Sequence, residues 1–582
     1  MRFSQLLLAA MAALTLTPAL ARARNAADEI CPRPAAGSAI PEPADLRSQN
    51  GTLKVELKYR SLRDASGHMR YCYQAGDGSV APNLRVHPGD WLIVSLKNDL
   101  QAPRSAASAK GSAMAMPVPA ATPLQMPMPV TDACADQEMT PLSTNLHFHG
   151  LSVPPICHQD DVLKTAIGPG DAPFEYRFQI PPDTPTGLYW YHPHVHGFSN
   201  AQVLGGGSGV LIVEGIERAN TLLAGLPERV LVVRDQDLIN PDAAPSKTST
   251  VPQVPVLRDA EGDILNTGTG EGKPSKDLSV NFVPVAYPDY PPGVITMKPA
   301  ERQLWRVVNA SAITYLDLQI VLGGVAQRMG VVSLDGVPIN EGGMTGNRIV
   351  WEGHILLPPA GRVDFVFQAP PAGSQASLMT RSVDTGPAGE NDPTRPLATI
   401  LSKADATEPR STLPASPAPP LRQTSVWLGD VKPVHERKLY FSEKPSDPNN
   451  PNSPTIFMVT VDGQEPAPYD PRSTVANITV QQGDVEDWVI ENRTRELHAF
   501  HIHQIHFLLI GWNGVPVDEP FLRDTVNVPY WNGASPVYPS VRLRMDFRDP
   551  NIVGTFVYHC HLLEHEDGGM MGTILVQPAT KR

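Results

Sequence analysis

Gly554-Thr-Phe-Val-Tyr-His559-Cys560-His561-Leu-Leu-Glu-His565-Glu-Asp-Gly-Gly-Met570 is the stretch that decides how the rest of the chain is read. On an extended strand, alternate side chains face opposite ways, so His559 and His561 share one face and Cys560 takes the other. A Cys thiolate, a nearby imidazole (His565) and a thioether (Met570) form the ligand set of a blue-copper electron-transfer centre. The two flanking His would reach a second metal site across the strand. One tripeptide would then join a metal that accepts electrons to a metal that uses them.

The pattern recurs as His147-Phe148-His149, His192-Pro193-His194 and His498-x-x-His501-x-His503. With 17 His in 582 residues, chance supplies about 0.5 His-x-His pair. The chain holds five, counting His194/His196. One pair alone would be a surface or core coincidence; four clusters, one with a Cys inside, are a metal assembly. Pairs such as His147/His149 and His501/His503 hold imidazoles about 6.6 Å apart on one strand face, so several such strands converging can hold a compact cluster.

A chain of this length exceeds one core and predicts three or four domains. Charged residues make up only 18 % and Pro numbers 61, which favours a β-rich, loop-rich protein. The net charge of −13 argues against a nucleic-acid partner. Residues 1–23 read as a secretory signal: Arg2 is basic, and Leu6 to Leu20 is apolar but too short to span a membrane. Small-x-small cleavage sites follow at Ala19-Leu20-Ala21 and Ala21-Arg22-Ala23. A periplasmic or secreted protein without a membrane span is expected. If Cys560 holds metal, Cys31, Cys72, Cys134 and Cys157 remain, which suits two disulfides in an oxidising compartment. Three connectivities are possible, and sequence nearness favours Cys31–Cys72 with Cys134–Cys157.

Leu53, Val55, Leu57 and Tyr59 alternate with Lys54, Glu56 and Lys58, the period of a half-buried strand. An internal repeat is more telling. HPGDWLIVSLKN, KPAERQLWRVVN and QQGDVEDWVIEN end at Asn98, Asn309 and Asn492, with a small residue (Gly89, Ala300, Gly483) nine positions earlier and Trp305 and Trp488 in register. A second repeat relates Gly187-Leu-Tyr-Trp-Tyr-His192-Pro-His194 to Gly554-Thr-Phe-Val-Tyr-His559-Cys-His561. Three antiparallel β-sandwich units are expected, at about 45–216, 226–402 and 424–580, with Thr407 to Pro420 as the second linker. The middle unit has no His-x-His and reads as a spacer. Nine positions separate Asn492 from His501, but forty-nine separate Asn98 from His147. The inserted segment, residues 101–142, carries Met114, Met116, Met126, Met128 and Met139. It reads as a surface loop with incidental Met or as a binder of soft Cu(I).

HFHG, WYHPHVHG, HAFHIH and HCHLLEHEDGGMM together resemble the motifs of the multicopper oxidase family, and the resemblance covers essentially the whole mature chain. It implies an all-β fold of three cupredoxin-like Greek-key sandwiches and four Cu ions: one type 1, one type 2 and two type 3. His498, Cys560 and His565 match the type 1 ligands, with Met570 axial. His147 and His501 match the type 2 ligands. His149, His192, His194, His503, His559 and His561 match the type 3 pair. Asp160 and Glu566 match acidic positions that feed protons to the cluster in relatives, with Asp161 an equally near candidate. His196 has no ligand slot, and His158 and His506 also read as non-ligands.

The function expected is coupling of one-electron oxidation of a phenol, aromatic amine or metal ion to reduction of O2 to water. The donor would act near the type 1 edge at His498 or His565. A thioether axial ligand implies a modest potential suited to easily oxidised donors. A periplasmic cuprous oxidase conferring copper tolerance is the alternative enzyme, and a copper-sequestering protein the alternative non-enzyme. A monomer suffices, because units one and three of one chain complete the cluster.

Overall fold

The computed structural model describes residues 30–101, 133–135, 138–245, 256–339, 347–415, 426–450 and 453–579. The expected signal peptide, most of the inserted segment with Met114, Met116, Met126 and Met128, and the end of the expected second linker lie outside the described residues.

Each copy of the repeat becomes the same piece of structure. Trp91–Asp99, Arg302–Asn309 and Val485–Asn492 are strands. Each pairs in parallel with an earlier strand of its own unit (Thr52–Arg63, Pro227–Gln236 and His435–Pro445). Each pairs antiparallel with a later one (Phe174–Gln179, Arg362–Gln368 and Ser540–Asp546). The sheets are therefore mixed, where the sequence suggested antiparallel sheets throughout. The long connection between the two parallel strands lets the chain cross over and return in the same direction.

The repeated small residues explain themselves. Gly89, Ala300 and Gly483 have φ of +91°, +57° and +106°, the left-handed region that a turn into the strand demands. The closing Asn is a latch. The Nδ2 of Asn98 donates to Leu142 O and Ile167 O, that of Asn309 to Thr314 O and Leu357 O, and that of Asn492 to Glu496 O and Val528 O. Each Oδ1 accepts the N–H two residues on. An Asn so placed satisfies loop backbone that would otherwise be buried unpaired. Asn309 and Asn492, which open the N-x-S/T triplets Asn309-Ala-Ser and Asn492-Arg-Thr, thus have fully buried side chains.

Each unit stacks two sheets over its own apolar core. In the first, a four-stranded sheet containing Thr52–Arg63 faces a five-stranded one containing Leu188–His192 and His147–His149. In the third, a seven-stranded sheet faces a five-stranded one in which Gly554–Cys560 lies between Met571–Gln577 and His498–Ile502. Cys31 is bonded to Cys72 and Cys134 to Cys157, leaving Cys560 as the free, buried cysteine. No helix among the described residues is long and apolar enough to cross a membrane.

Candidate metal centres

Strand register brings the histidines together. His147 stands opposite His192 across one antiparallel pair, and His501 opposite His559 across another. The two His-bearing sheets meet between units one and three. His194 Nε2 lies 3.4 Å from His559 Nε2, which lies 3.3 Å from His503 Nε2.

The eight imidazoles form one compact cluster, whose shortest ring separations are His147–His503 at 3.9 Å and His149–His501 at 4.0 Å. His149, His192 and His561 form one trio, with ring centroids 5.2–5.7 Å apart. His194, His503 and His559 form a second, at 4.8–5.4 Å. His147 and His501, 6.3 Å apart, complete the set. The fit to a metal is visible in nitrogens that find no other partner. His147 Nε2, His149 Nδ1, His192 Nε2, His501 Nε2, His503 Nδ1 and both His561 nitrogens are buried without a hydrogen bond among the described residues. Buried polar atoms are otherwise almost always paired. Burial pushes the His147, His149, His194, His501, His503 and His561 imidazoles well below their ordinary range, with neighbouring imidazoles adding to the effect. They are neutral at pH 7, the form that binds metal.

The opposite nitrogens of several rings are held by partners, which sets their orientation. Asp160 lies 3.0 Å from His147 Nδ1 and is itself fixed by Phe148 N–H and by Gln504 Nε2 at 2.5 Å. His192 Nδ1 and His559 Nδ1 meet the carbonyls of Pro193 and Cys560. Glu566 Oε1 accepts from Ser199 Oγ and lies 3.6 Å from His194 Nδ1. Its Oε2 lies 3.9 Å from His559 Nδ1 and has no hydrogen bond among the described residues. Burial pushes the carboxyls of Asp160 and Glu566 well above their ordinary range. Asp161 instead accepts from Lys164 N–H on a half-buried turn.

Three groups missed in the sequence complete the cluster's frame. Asp524 Oδ1 lies 3.3 Å from His149 Nε2, and its carbonyl 2.8 Å from His501 Nδ1. Arg362, from the middle unit, clamps Asp524 with Nη1–Oδ1 2.7 Å and Nη2–Oδ2 2.5 Å. Asp335, also from the middle unit, accepts Arg362 N–H. The middle unit is thus more than a spacer, correcting the reading based on its lack of His-x-His. His506 is an outer neighbour of the same carboxylate at 3.7 Å. The last Gly of HFHG has a related cause: a Cβ on Gly150 (φ +90°) would lie 2.6 Å from Arg362 Nη2 and 2.8 Å from Asp524 Oδ2.

Across the strand, Cys560 enters the core of unit three with Met570. Cys560 Sγ lies 3.5 Å from His498 Nδ1 and 3.8 Å from His565 Nδ1, and the two imidazole nitrogens are 3.2 Å apart. Met570 is fully buried and its carbonyl accepts Cys560 N–H. Burial pushes the Cys560 thiol up to about 12, so a metal must displace its proton. The outer edges of both rings meet carboxylates that the sequence did not flag. Glu443 Oε1 lies 3.1 Å from His498 Nε2, and Glu496 Oε1 3.4 Å from His565 Nε2. Phe457 stacks on His565 at 4.2 Å. Both imidazoles are buried, whereas the Glu443 side chain beside His498 is 20 % exposed, with its Oε1 turned inward.

The remaining candidates lie apart. His158 is exposed, stacked on Phe174. His196 packs edge-on to Tyr469, and its N–H points to the sulfur of Met139 at 3.2 Å.

Multicopper oxidase family profiles match residues 137–218 and 446–580. The chain is 23 % identical over 441 residues to the multicopper oxidase mco of Staphylococcus aureus, spanning 75 % of this chain and 77 % of that one. To the mco of Staphylococcus haemolyticus it is 29 % identical over 154 residues, or 24 % of this chain and 31 % of the relative. A Campylobacter jejuni multicopper oxidase described as a metallo-oxidase superposes with a TM-score of 0.59 at 23 % identity, covering 94 % of this chain and 96 % of that one.

Proposed function

We propose that this chain, which belongs to the multicopper oxidase family, is a laccase-like oxidase coupling one-electron oxidation of phenols and aromatic amines to four-electron reduction of O2 to water. The observation that carries this reading is the junction at Cys560. Its sulfur converges with His498 and His565, while His559 and His561 on either side belong to the two imidazole trios. A sequestering protein has no need of such a junction.

Four copper ions, one type 1, one type 2 and two type 3, would supply four one-electron stores, matching the four electrons O2 requires. His498, Cys560 and His565 would hold the first, with the Met570 thioether available beside them. His147 and His501 would hold the second. The trios His149/His192/His561 and His194/His503/His559 would hold the pair. Around them the chain positions and protonates. Asp160 keeps the Nδ1 proton of His147 and so presents Nε2 to the cavity. Glu566, with one oxygen free beside His559, and Asp160 are the proton carriers of this reading.

A second donor class, metal ions including Cu(I), is favoured by the carboxylates at the type 1 edge. Glu443 is the solvent-facing neighbour of His498, and a carboxylate draws a cation as readily as it accepts a phenol's proton. Export to the periplasm or beyond fits the two disulfides, and one chain supplies every group named, so a monomer suffices.

Oxygen uptake by the copper-loaded protein tests the reading, with a methoxyphenol in the presence and absence of excess copper ions. Equal uptake in both means an open laccase, and uptake only with added copper means a metal-ion oxidase. Cys560→Ser should abolish donor oxidation and blue colour; a variant that still oxidises the phenol at the parent rate would overturn the assignment.

A further inference from the structure

A cavity of about 470 Å³ lies where the N-terminal segment meets the first and middle units, and it shares no residue with either metal centre. Pro41, Val80 and other apolar groups line much of it, together with Phe282, the cations Arg33, Arg234 and Arg410, and Glu42. The Phe282 ring is sandwiched by the two guanidiniums, Arg33 at 4.2 Å and Arg234 at 4.0 Å. Two like charges are thus gathered about one aromatic ring, in a setting that disfavours both.

Neither cation has a carboxylate partner among the described residues. Arg33 donates to the carbonyls of Cys31, Pro32, Tyr71 and Gly205. Arg234 donates to Oγ and O of Ser208 through Nε and Nη2. Nearby charges are engaged elsewhere. Asp64 pairs with Arg70 at 2.7 Å, and Glu42 meets Arg229 at 3.5 Å and Arg410 N–H at 2.8 Å. Burial lowers both guanidiniums to about 9, each further depressed by a neighbouring arginine. An uncompensated buried charge costs several kcal/mol, by roughly the Born argument, so this pair lacks a counter-charge. The backbone is also held against its preference. Phe282 and Asn281 have φ of +68° and +46°, and Asn281 is pinned by Val232 N–H and the carbonyls of Pro41 and Val230. Strain of this kind is retained where surrounding structure enforces it, often at ligand sites.

We propose that this cavity binds an organic anion, a carboxylate with a small apolar body, whose charge is met by Arg33 and Arg234 and whose body lies against Pro41 and Val80. Ligand affinity here is separate from oxidation of a donor, since no copper ligand or outer partner of one contributes to the lining.

Benzoate is the probe and benzamide its neutral isostere, titrated calorimetrically into the copper-loaded protein at fixed ionic strength. Benzoate should bind saturably and raise the unfolding temperature by mass action, and benzamide should do neither. Arg234→Gln should weaken benzoate at least tenfold. Val80→Trp, which fills the cavity without touching a charge, should abolish binding while blue absorbance and oxidase rate stay at parent values. Equal binding of benzamide, or benzoate binding unchanged in Val80→Trp, overturns the proposal.

Discussion

Arg362→Gln tests whether the middle unit governs copper binding it does not itself perform. Arg362 is fully buried and makes two bonds to Asp524, at 2.7 and 2.5 Å. It makes three more to the carbonyls of Ala360, Asp335 and Leu188, at 3.0, 2.9 and 3.3 Å. A Gln at this position is shorter and neutral. Breaking a buried ion pair by removing one partner costs about 3–5 kcal/mol, much of it from the charge left behind. Asp524 then either takes a proton or turns away, and in both cases its grip on His149 Nε2 (3.3 Å) is lost. Loss of such an outer partner lowers metal affinity about 10–100-fold, or roughly 1.4–2.7 kcal/mol. The assay is copper content after dialysis against a chelator series, with the type 2 signal read by electron paramagnetic resonance and the type 1 site by blue absorbance. The expected result is loss of type 2 and type 3 copper at a tenfold or more lower chelator concentration, with the blue site retained. Arg306→Gln is the control. It removes an equally buried middle-unit arginine, paired with Glu228 and Asp364, that touches no histidine of the cluster. If Arg362→Gln keeps its copper to the parent concentration, or if Arg306→Gln loses copper equally, the clamp argument is refuted.

Gly150→Ala should reproduce the Arg362→Gln copper loss, because the new Cβ would press on both members of the clamp; normal type 2 copper in this variant would count against the steric reading. In the metal-free protein Cys560 should resist alkylation at pH 8 without denaturant, given a thiol pushed up to about 12 by burial, and mass spectrometry showing rapid labelling would contradict this. Glu443→Gln removes a charge 3.1 Å from His498 Nε2 and should raise the type 1 reduction potential by on the order of tens of millivolts; spectroelectrochemistry returning the parent potential would sink it. Burial pushes the Glu228 carboxyl up, but the guanidiniums of Arg306 and Arg85 outweigh it and bring it to about 2. Its contribution is therefore present above the unfolded value near 4.5 and lost as pH falls from there towards 2, about 3 kcal/mol in all. Urea unfolding of metal-free Glu228→Gln should show a stability gap from the parent at pH 7 that narrows below pH 4.5, and a gap constant down to pH 2.5 would contradict the assignment.

What the sequence made legible was what repeats or keeps local spacing. The alternation of Leu53 to Tyr59 reappears as a strand buried on one face, and the spacing ending at Asn98, Asn309 and Asn492 reappears as three equivalent strands. Nine of the twelve proposed copper ligands lie in a short His-x-His or His-Cys-His string, where one rule of strand geometry aims each pair, and His498, His565 and Met570 lie within nine positions of one. The supporting groups have no such spacing. Asp524 reaches His149 across 375 positions and Arg362 across 162, and Glu443 and Glu496 reach two different rings from different elements. A lone buried carboxylate in a sequence is indistinguishable from a surface one, and only the folded register shows which it is. Asp160 stood out because a resemblance marked it, and the structure adds the reason, a bond to His147 Nδ1.

The middle unit illustrates the same point at the scale of a domain. It carries no candidate ligand, yet both candidate metal centres lean on it. Near the cluster, Asp335 accepts from Asp524 N–H and Thr525 N–H as well as from Arg362, so it fixes the backbone that orients His501. Near Cys560, Leu497 precedes His498 and is held at both ends, its N–H by Thr385 O and its carbonyl by Tyr315 Oη–H. Leu563, at the start of the short helix that carries His565, donates to Ala312 O. A metal site tolerates only small displacements of its ligands, and here the ligands come from loops and strand ends of two different units. A third body bonded to the flanks of both sets converts that loose arrangement into a fixed one. These contacts combine a few side chains, Arg362, Asp335 and Tyr315, with main-chain groups at set positions, and none of them is a histidine, so the unit supports the centres without a His-x-His of its own.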